Sequence, residues 1–563
     1  MRGLVLLQIF TVLSLTAFRF FSSGDVITEL FRFSPVEHHE FIGIFFVDEL
    51  GLEILGLSTI LMAMITRFSR SYLHREPGYR HFFAVLALFL GGLNWVSTAG
   101  SFDLLFLGWE VVGIASFLLI GFYSHRAHTV RNALEVYSIY RFCDVGFLVS
   151  ALVSIYLFKH AQVFAGQNLN TFGASLQTVH PAGIWGLSAA IILAAMGKSA
   201  QFPFSFWLSR AMEGPTPSSA LFYGALSIHL GVFLLLRTEG LWGFSFGVRI
   251  AVFLIGLLTL VYSVCVVRIQ SSIKGQIAYA SIAQVGIMFM EVALGFREIA
   301  MFHLAANAFL RSYQLLVSPS SVAYFLRLQS SVSRITASNS PSFESYLPKE
   351  VRSTLLVLAL RDAFLPELLR YFSNGILRFP KSLVGLAGEK RALLATTGFL
   401  LAAIFLPNTV LSATLLGGVL LFLNAIAVRT VKHRTLLPWV LIGLLTLTPA
   451  FYLVARVPNS KSAVTWFIGG TLPFWALTAM AVSLKTLFSV TVRKRMLWIG
   501  VLGTIGFPIG PAFLGEDLMI QFAAEQHPLF AVALCLSFVW SGFTAVRWLM
   551  HQPEALANEA VRA

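Results

Sequence analysis

Two charged side chains stand inside long apolar runs, where a proton can be passed but is costly to hold. Glu110 lies in the stretch 104–123, LLFLGWEVVGIASFLLIGFY, which has no other charge. Lys198 follows the apolar run Ile184–Met196 and opens GKSAQFPFSFWLSRAMEGPTP, residues 197–217. Ionisable groups in a membrane segment are rare and usually line a polar path. Gly214, Pro215 and Pro217 break the helix soon after the lysine, and a broken helix leaves backbone groups that need a polar cavity or protein partners. A lysine holds its proton more firmly beside a carboxylate and more loosely in dry surroundings. Moving Glu110 and Lys198 together or apart would therefore load and unload a proton without any bond chemistry.

Other ionisable groups fall in neighbouring apolar runs. Arg141 and Asp144 are three residues apart on one helical face, which suits either a self-neutralising pair or a relay. His229 and His303 carry imidazoles, the side chains best suited to proton exchange near neutral pH; each alone reads first as a core histidine bonded to a carbonyl. Arg311, eight residues after His303, lies on nearly the same face and can steer a proton but hardly carry one. Lys274 and Glu291 sit near opposite ends of one span and read as anchors. A second break, Gly506-Phe-Pro-Ile-Gly-Pro511, contains Pro508 and is followed by Glu516 and Asp517. Paired broken helices mark inverted repeats; one loop between two shorter helices is an equal alternative here.

The elements that position these groups must be membrane helices. Of 563 residues, 57% are hydrophobic and only 12% charged, and the mean hydropathy is +0.78. At about 20 residues per span, the chain has room for about 13–15 transmembrane helices. The expected fold is an all-α polytopic membrane protein in five parts. N-terminal helices occupy 1–100 and a core 101–318. An amphipathic or hydrophilic insertion follows at 319–391, then C-terminal helices at 392–550 and a polar tail at 551–563. Apolar runs include Ile42–Ile65, Leu393–Leu406 and Ser412–Val428, and Lys349–Phe372 reads as an amphipathic helix. Arg19 interrupts the first run, Leu4–Phe21, which reads as a retained helix and not a signal peptide.

The net charge of +14 gathers in clusters at Arg67–His81, Arg126–Arg131, Arg429–Arg434 and Arg493–Arg495, which suit positive-inside orientation and lipid headgroups, not nucleic acid. Cys143, Cys265 and Cys535 are far apart and read as small core residues. With no cysteine cluster and no GxGxxG turn, no metal site or cofactor is expected in the chain itself.

Five segments then resemble the antiporter-like membrane subunits. They are RFSRSYLHREPGYRHFF (67–83), DLLFLGWEVVGIASFLLIGFY (103–123), YRFCDVGFL (140–148), GKSAQFPFSFWLSRAMEGPTPSSAL (197–221) and IKGQIAYASIAQVGIMFM (273–290). The family includes subunit 5 of respiratory NADH–quinone oxidoreductase, its counterpart in multisubunit Na⁺/H⁺ antiporters, and the DabB component of inorganic carbon pumps. The resemblance implies inverted repeats with broken helices and a proton half-channel at the bilayer midplane. It places the family's glutamate on Glu110, its lysine on Lys198 and its arginine–aspartate pair on Arg141 and Asp144. The later lysine falls on Lys274 and a channel histidine on His303.

This chain departs from the respiratory pattern at several positions. Tyr223 stands for a histidine, Asn307 and Arg311 for a histidine and a lysine, and Arg210 for an acid. A lysine expected near Gly515 is absent, Glu516 and Asp517 follow, and no long C-terminal lateral helix is evident. The departures favour the DabB type. That type implies a proton- or sodium-translocating subunit of a carbon dioxide or bicarbonate pump, without enzyme activity of its own. It would sit in a bacterial inner membrane beside a zinc-containing DabA-like partner. The alternatives are a subunit of an NADH–quinone oxidoreductase-type complex or of a Na⁺/H⁺ antiporter.

Overall fold

The computed structural model describes residues 1–158, 181–331, 348–368 and 437–562, apart from 23–24, 37–38, 271, 457–460, 485–486, 507–509 and 527, with scattered residues between 371 and 427. The spans expected at 393–406 and 412–428, the basic cluster 429–434 and Pro508 lie wholly or mostly outside the described residues.

Helix α1 (Arg2–Ser22) precedes a β-hairpin, β1 (Val26–Val36) and β2 (His39–Val47), paired antiparallel with Val26 opposite Val47. The hairpin corrects the reading of Ile42–Ile65 as one span. FIGIFFV is rich in aromatic and β-branched residues that suit a strand. Asp48 then restarts the chain as a helix by accepting a hydrogen bond from the Gly51 amide at 2.9 Å. Helix α1 is mostly exposed along its apolar length, the surface a lipid-facing helix presents. Its Gln8 reaches inward to Asn94 at 3.0 Å and Ser58 at 3.3 Å.

The core helices are α2 (Glu49–Tyr72), α3 (Tyr79–Ser97), α4 (Phe102–Ile120), α5 (Ala127–Phe158) and α6 (Pro181–Lys198). Ser101 caps α4, accepting from the Leu104 amide. Nearly every side chain of α4 is buried, so it is the central helix of the bundle. After α6 comes the short α7 (Trp207–Ala211). The chain re-enters at Thr216–Ser218 and passes through a π-helical stretch (Ser219–Ala225) and a 3-10 turn (Ser227–His229) into α8 (Leu230–Arg237). Then follow α9 (Phe246–Val267), α10 (Ile273–Leu294) and α11 (Arg297–Ser331).

The expected amphipathic helix Lys349–Phe372 is shorter. Helix α12 (Lys349–Leu360) ends at a turn with positive φ at Asp362, Ala363 and Phe364. The later helices are α13 (Leu437–Arg456), α14 (Lys461–Ser483), α15 (Val490–Thr504), α16 (Pro511–Gln526) and α17 (Pro528–Arg562). The residues from 551, read as a polar tail, continue α17. Among the described residues, nine helices are long and apolar enough to cross a membrane, and two shorter apolar helices, 183–198 and 439–455, join them. Cys143 and Cys535 are buried as expected, whereas Cys265 lies on the outer surface of α9.

Candidate functional site

Lys198 ends α6 with its side chain almost completely buried. The turn after it needs Ala200 at φ 52°. Gly197 packs on the Cys143 side chain so closely that a Cβ would collide, which brings α6 against α5 at the lysine. The Lys198 ammonium donates to the Trp109 carbonyl at 3.0 Å. It also lies over the Tyr140 ring, 4.6 Å from its centroid, and over Trp109 at 5.1 Å. Ring faces attract a cation while leaving it free of a bonded carboxylate.

Glu110, the expected partner of Lys198, pairs instead with Arg141 at 2.6 Å. Asp144 does not pair with Arg141; its carboxylate accepts from the Trp109 indole at 2.7 Å. The i to i+3 spacing on α5 is present, but α4 supplies both partners, Glu110 to Arg141 and Trp109 to Asp144. Trp109 and Tyr140, each beside a recognised charged residue, had no signal of their own in the sequence.

The second half reaches the same cluster. Glu516 on α16 interacts electrostatically with Arg141 and Glu110. Its carboxylate lies against Gly506, whose φ of 68° and missing Cβ make the room. Helix α15 ends at Thr504 and α16 starts at Pro511, so the Gly506 segment lies between two helices, with 507–509 outside the described residues. Asp517 accepts from Gln521 at 2.7 Å.

A polar chain leads from the π-helical stretch toward α11. His229 Nδ1 donates to the Ala225 carbonyl, so Nε2 is the acceptor for Asn307 Nδ2 at 3.0 Å. Asn307 Oδ1 accepts from Arg311 Nε at 3.2 Å, and the guanidinium also donates to Gln314 at 2.7 Å and to the Ala280 carbonyl at 3.2 Å. His303 is not in this chain: its ring nitrogens face Glu291 at 2.9 Å and Gln284 at 2.7 Å. Glu291, read as an anchor, is thus a histidine partner.

At the end of the bundle that holds the first break, Lys274 donates to the Gly214 carbonyl at 3.4 Å. Glu213 next to it meets His128 at 3.2 Å and Asn132 at 3.4 Å. Arg210 on α7 pairs with Glu135 and lies 3.8 Å from Asp362. Burial pushes the Asp362 carboxyl above the usual carboxylate range, against the downward pull of Tyr279 and Arg210. Among the described residues, no group of three His, Cys, Asp or Glu side chains forms a metal-binding cluster.

Residues 99–338 match the transmembrane family "NADH:quinone oxidoreductase/Mrp antiporter, TM". Over that segment the chain is similar to antiporter-like membrane subunits. NADH-quinone oxidoreductase subunit L of Pseudomonas aeruginosa is 33% identical over 276 residues, 48% of this chain and 44% of that protein. NADH-ubiquinone oxidoreductase chain 5 of Yarrowia lipolytica is 28% identical over 356 residues, 63% of this chain and 52% of that protein. The chain thus spans about half the length of the curated relatives it matches. One chain of the Mrp complex from Dietzia sp. DQ12-45-1b gives a TM-score of 0.49 at 13% identity, covering 96% of this chain and 95% of that one. The family match takes in every candidate from Glu110 to Arg311 and stops before Asp362 and Glu516.

Proposed function

We propose that this chain is the ion-translocating membrane subunit of an antiporter-like complex, and that it moves protons, or sodium ions, by rearranging buried charges. The observation that carries the reading is Lys198: a buried ammonium, bonded to one carbonyl and two ring faces, one residue along from the Glu110–Arg141 pair. An ammonium has three donors, so a site that satisfies one with a single carbonyl suits a charge that comes and goes. Arg141 holds Glu110 in this arrangement. Release of Glu110 toward Lys198 would load the lysine, and return to Arg141 would unload it. The His229–Asn307–Arg311 chain and the Glu516 cluster supply onward steps.

Within that reading, we assign the chain to an inorganic carbon pump with a zinc-containing DabA-like partner. The support is Arg311 and Asn307 where the respiratory pattern has titratable groups, together with Glu516 in place of a lysine path. The family match and the subunit L and chain 5 relatives equally support the alternative, a subunit of a respiratory or Mrp-type complex. Affinity purification of the chain from its own membranes separates the two: a large zinc protein supports the pump, and flavin and iron–sulfur subunits overturn it. The transport reading itself is checked in proteoliposomes with a pH-sensitive dye. Lys198→Ala is expected to abolish flux, and undiminished flux in that variant would remove Lys198 from the path.

A further inference from the structure

The turn after α12 is strained, holds a partly buried carboxylate, and faces the break that follows Lys198. Asp362, Ala363 and Phe364 adopt φ of 50°, 53° and 56°. Residues with a Cβ adopt this left-handed conformation at a cost, and three in a row persist only where their surroundings enforce it. Ala359 and Leu365, on either side, are buried in the main core. The Asp362 carboxylate is then fixed by the hydroxyl of Tyr279 at 2.5 Å, that of Tyr262 at 3.5 Å, and Arg210 at 3.8 Å.

From Arg210 the contacts run without a gap to the lysine. Arg210 belongs to α7, whose Trp207 donates its indole N–H to the Gly197 carbonyl at 2.9 Å. The Trp207 ring meets Tyr140 edge-on at 4.9 Å between centroids, and Tyr140 is the ring beneath the Lys198 ammonium. Displacing α7 would therefore move both the residue before Lys198 and the ring that holds its charge. Plain packing of α12 would need neither the strain nor a partly buried carboxylate held by two tyrosine hydroxyls.

We propose that the turn 361–364 is a latch on α7, and that Asp362 is a positioning residue that sets the Lys198 ammonium through Arg210 and Trp207. The functional part of this rests on Lys198 being the ion-carrying group proposed above; the latch itself does not.

Hydrogen exchange of the purified full-length chain in lipid nanodiscs tests the latch without a transport assay. Asp362→Ala removes the acceptor, and exchange across 199–214 is expected to rise about fivefold or more, with α3 unchanged. Asp362→Asn keeps an acceptor for Tyr279 and tolerates left-handed backbone, so exchange should stay within about twofold of native. Tyr279→Phe deletes one hydroxyl and should raise exchange by a smaller factor; it serves if Asp362→Ala does not fold. Native exchange at 199–214 in the alanine or phenylalanine variant overturns the latch. In proteoliposomes, Asp362→Ala should shift the pH profile of ion flux and Asp362→Asn should leave it in place. Raised exchange with an unshifted profile overturns the link to Lys198. If the native chain carries no flux, the transport reading fails and the exchange result alone decides the latch.

Discussion

Glu110 and Lys198 are both buried charges, yet they are bonded differently, and stability measurements should separate them. Glu110 takes a 2.6 Å bond from Arg141. Arg141→Met leaves that carboxylate buried and unpaired, and breaking a buried pair costs about 3–5 kcal/mol. Lys198 gives a single bond to a backbone carbonyl. Lys198→Met keeps the volume and removes an ammonium whose desolvation was costly, so it should destabilise by clearly less than Arg141→Met. Adding Glu110→Gln to Arg141→Met should recover most of the loss. Denaturation midpoints of the purified variants check the order; equal losses for Arg141→Met and Lys198→Met would mean that Lys198 is as tightly paired as Glu110. Both single variants are expected to lose ion flux, so stability and flux part company at Lys198. The chemistry of these residues was legible in the sequence because a charge in an apolar run has few structural uses. Their partners were not. The Arg141–Glu110 bond joins residues 31 apart on two helices, and helical periodicity is silent on which neighbouring face each will meet.

Breaks and turns were legible where glycine and proline mark them, at 214–217 and at Gly506, and illegible where ordinary residues are forced. Nothing in Asp362-Ala363-Phe364 announces a left-handed turn, and the hairpin 26–47 was hidden because its second strand runs straight into an apolar helix. Gly506 is the element whose role can be isolated most cleanly. With φ at 68°, alanine there costs about 1–2 kcal/mol, and its Cβ would strike the Glu516 carboxylate. Gly506→Ala should thus lower stability and also push Glu516 away from Arg141. In a Glu516→Ala background the collision disappears and only the backbone strain remains. A double-mutant cycle on denaturation midpoints and on flux is expected to show coupling between the two sites. Additive effects would mean that the glycine serves the turn alone.

The helix order also settles a question the sequence left open, because the first two basic clusters are separated by α3 and α4 and so share one end of the bundle. Glu213 meets His128 across the start of α5, and Lys274 meets Gly214, so the first break and the loop between α9 and α10 open at that same end. Arg67, Arg70, Arg75, Arg80, Arg126 and Arg268 gather there. The opposite end holds Asp48, Glu49, Glu53, Asp103, Glu239 and Glu298 against Arg249 and Arg297, with Arg237 already paired to Asp48 at 2.7 Å. Lys and Arg in short loops fix orientation and acidic residues contribute little. The end carrying residues 73–78, 121–126 and 268–272 should therefore face the cytoplasm, which also puts Lys274, Glu213 and the Asp362 turn on that side. Ser124→Cys and Phe244→Cys, one at each end, turn this into a measurement with a membrane-impermeant thiol reagent on intact cells. With Cys265, the exposed native cysteine, replaced by Ser, only the variant at 244 should be labelled from outside, and the variant at 124 should react once the membrane is opened. Labelling of residue 124 in intact cells would invert the molecule and place the mouth beside Lys274 on the outer face.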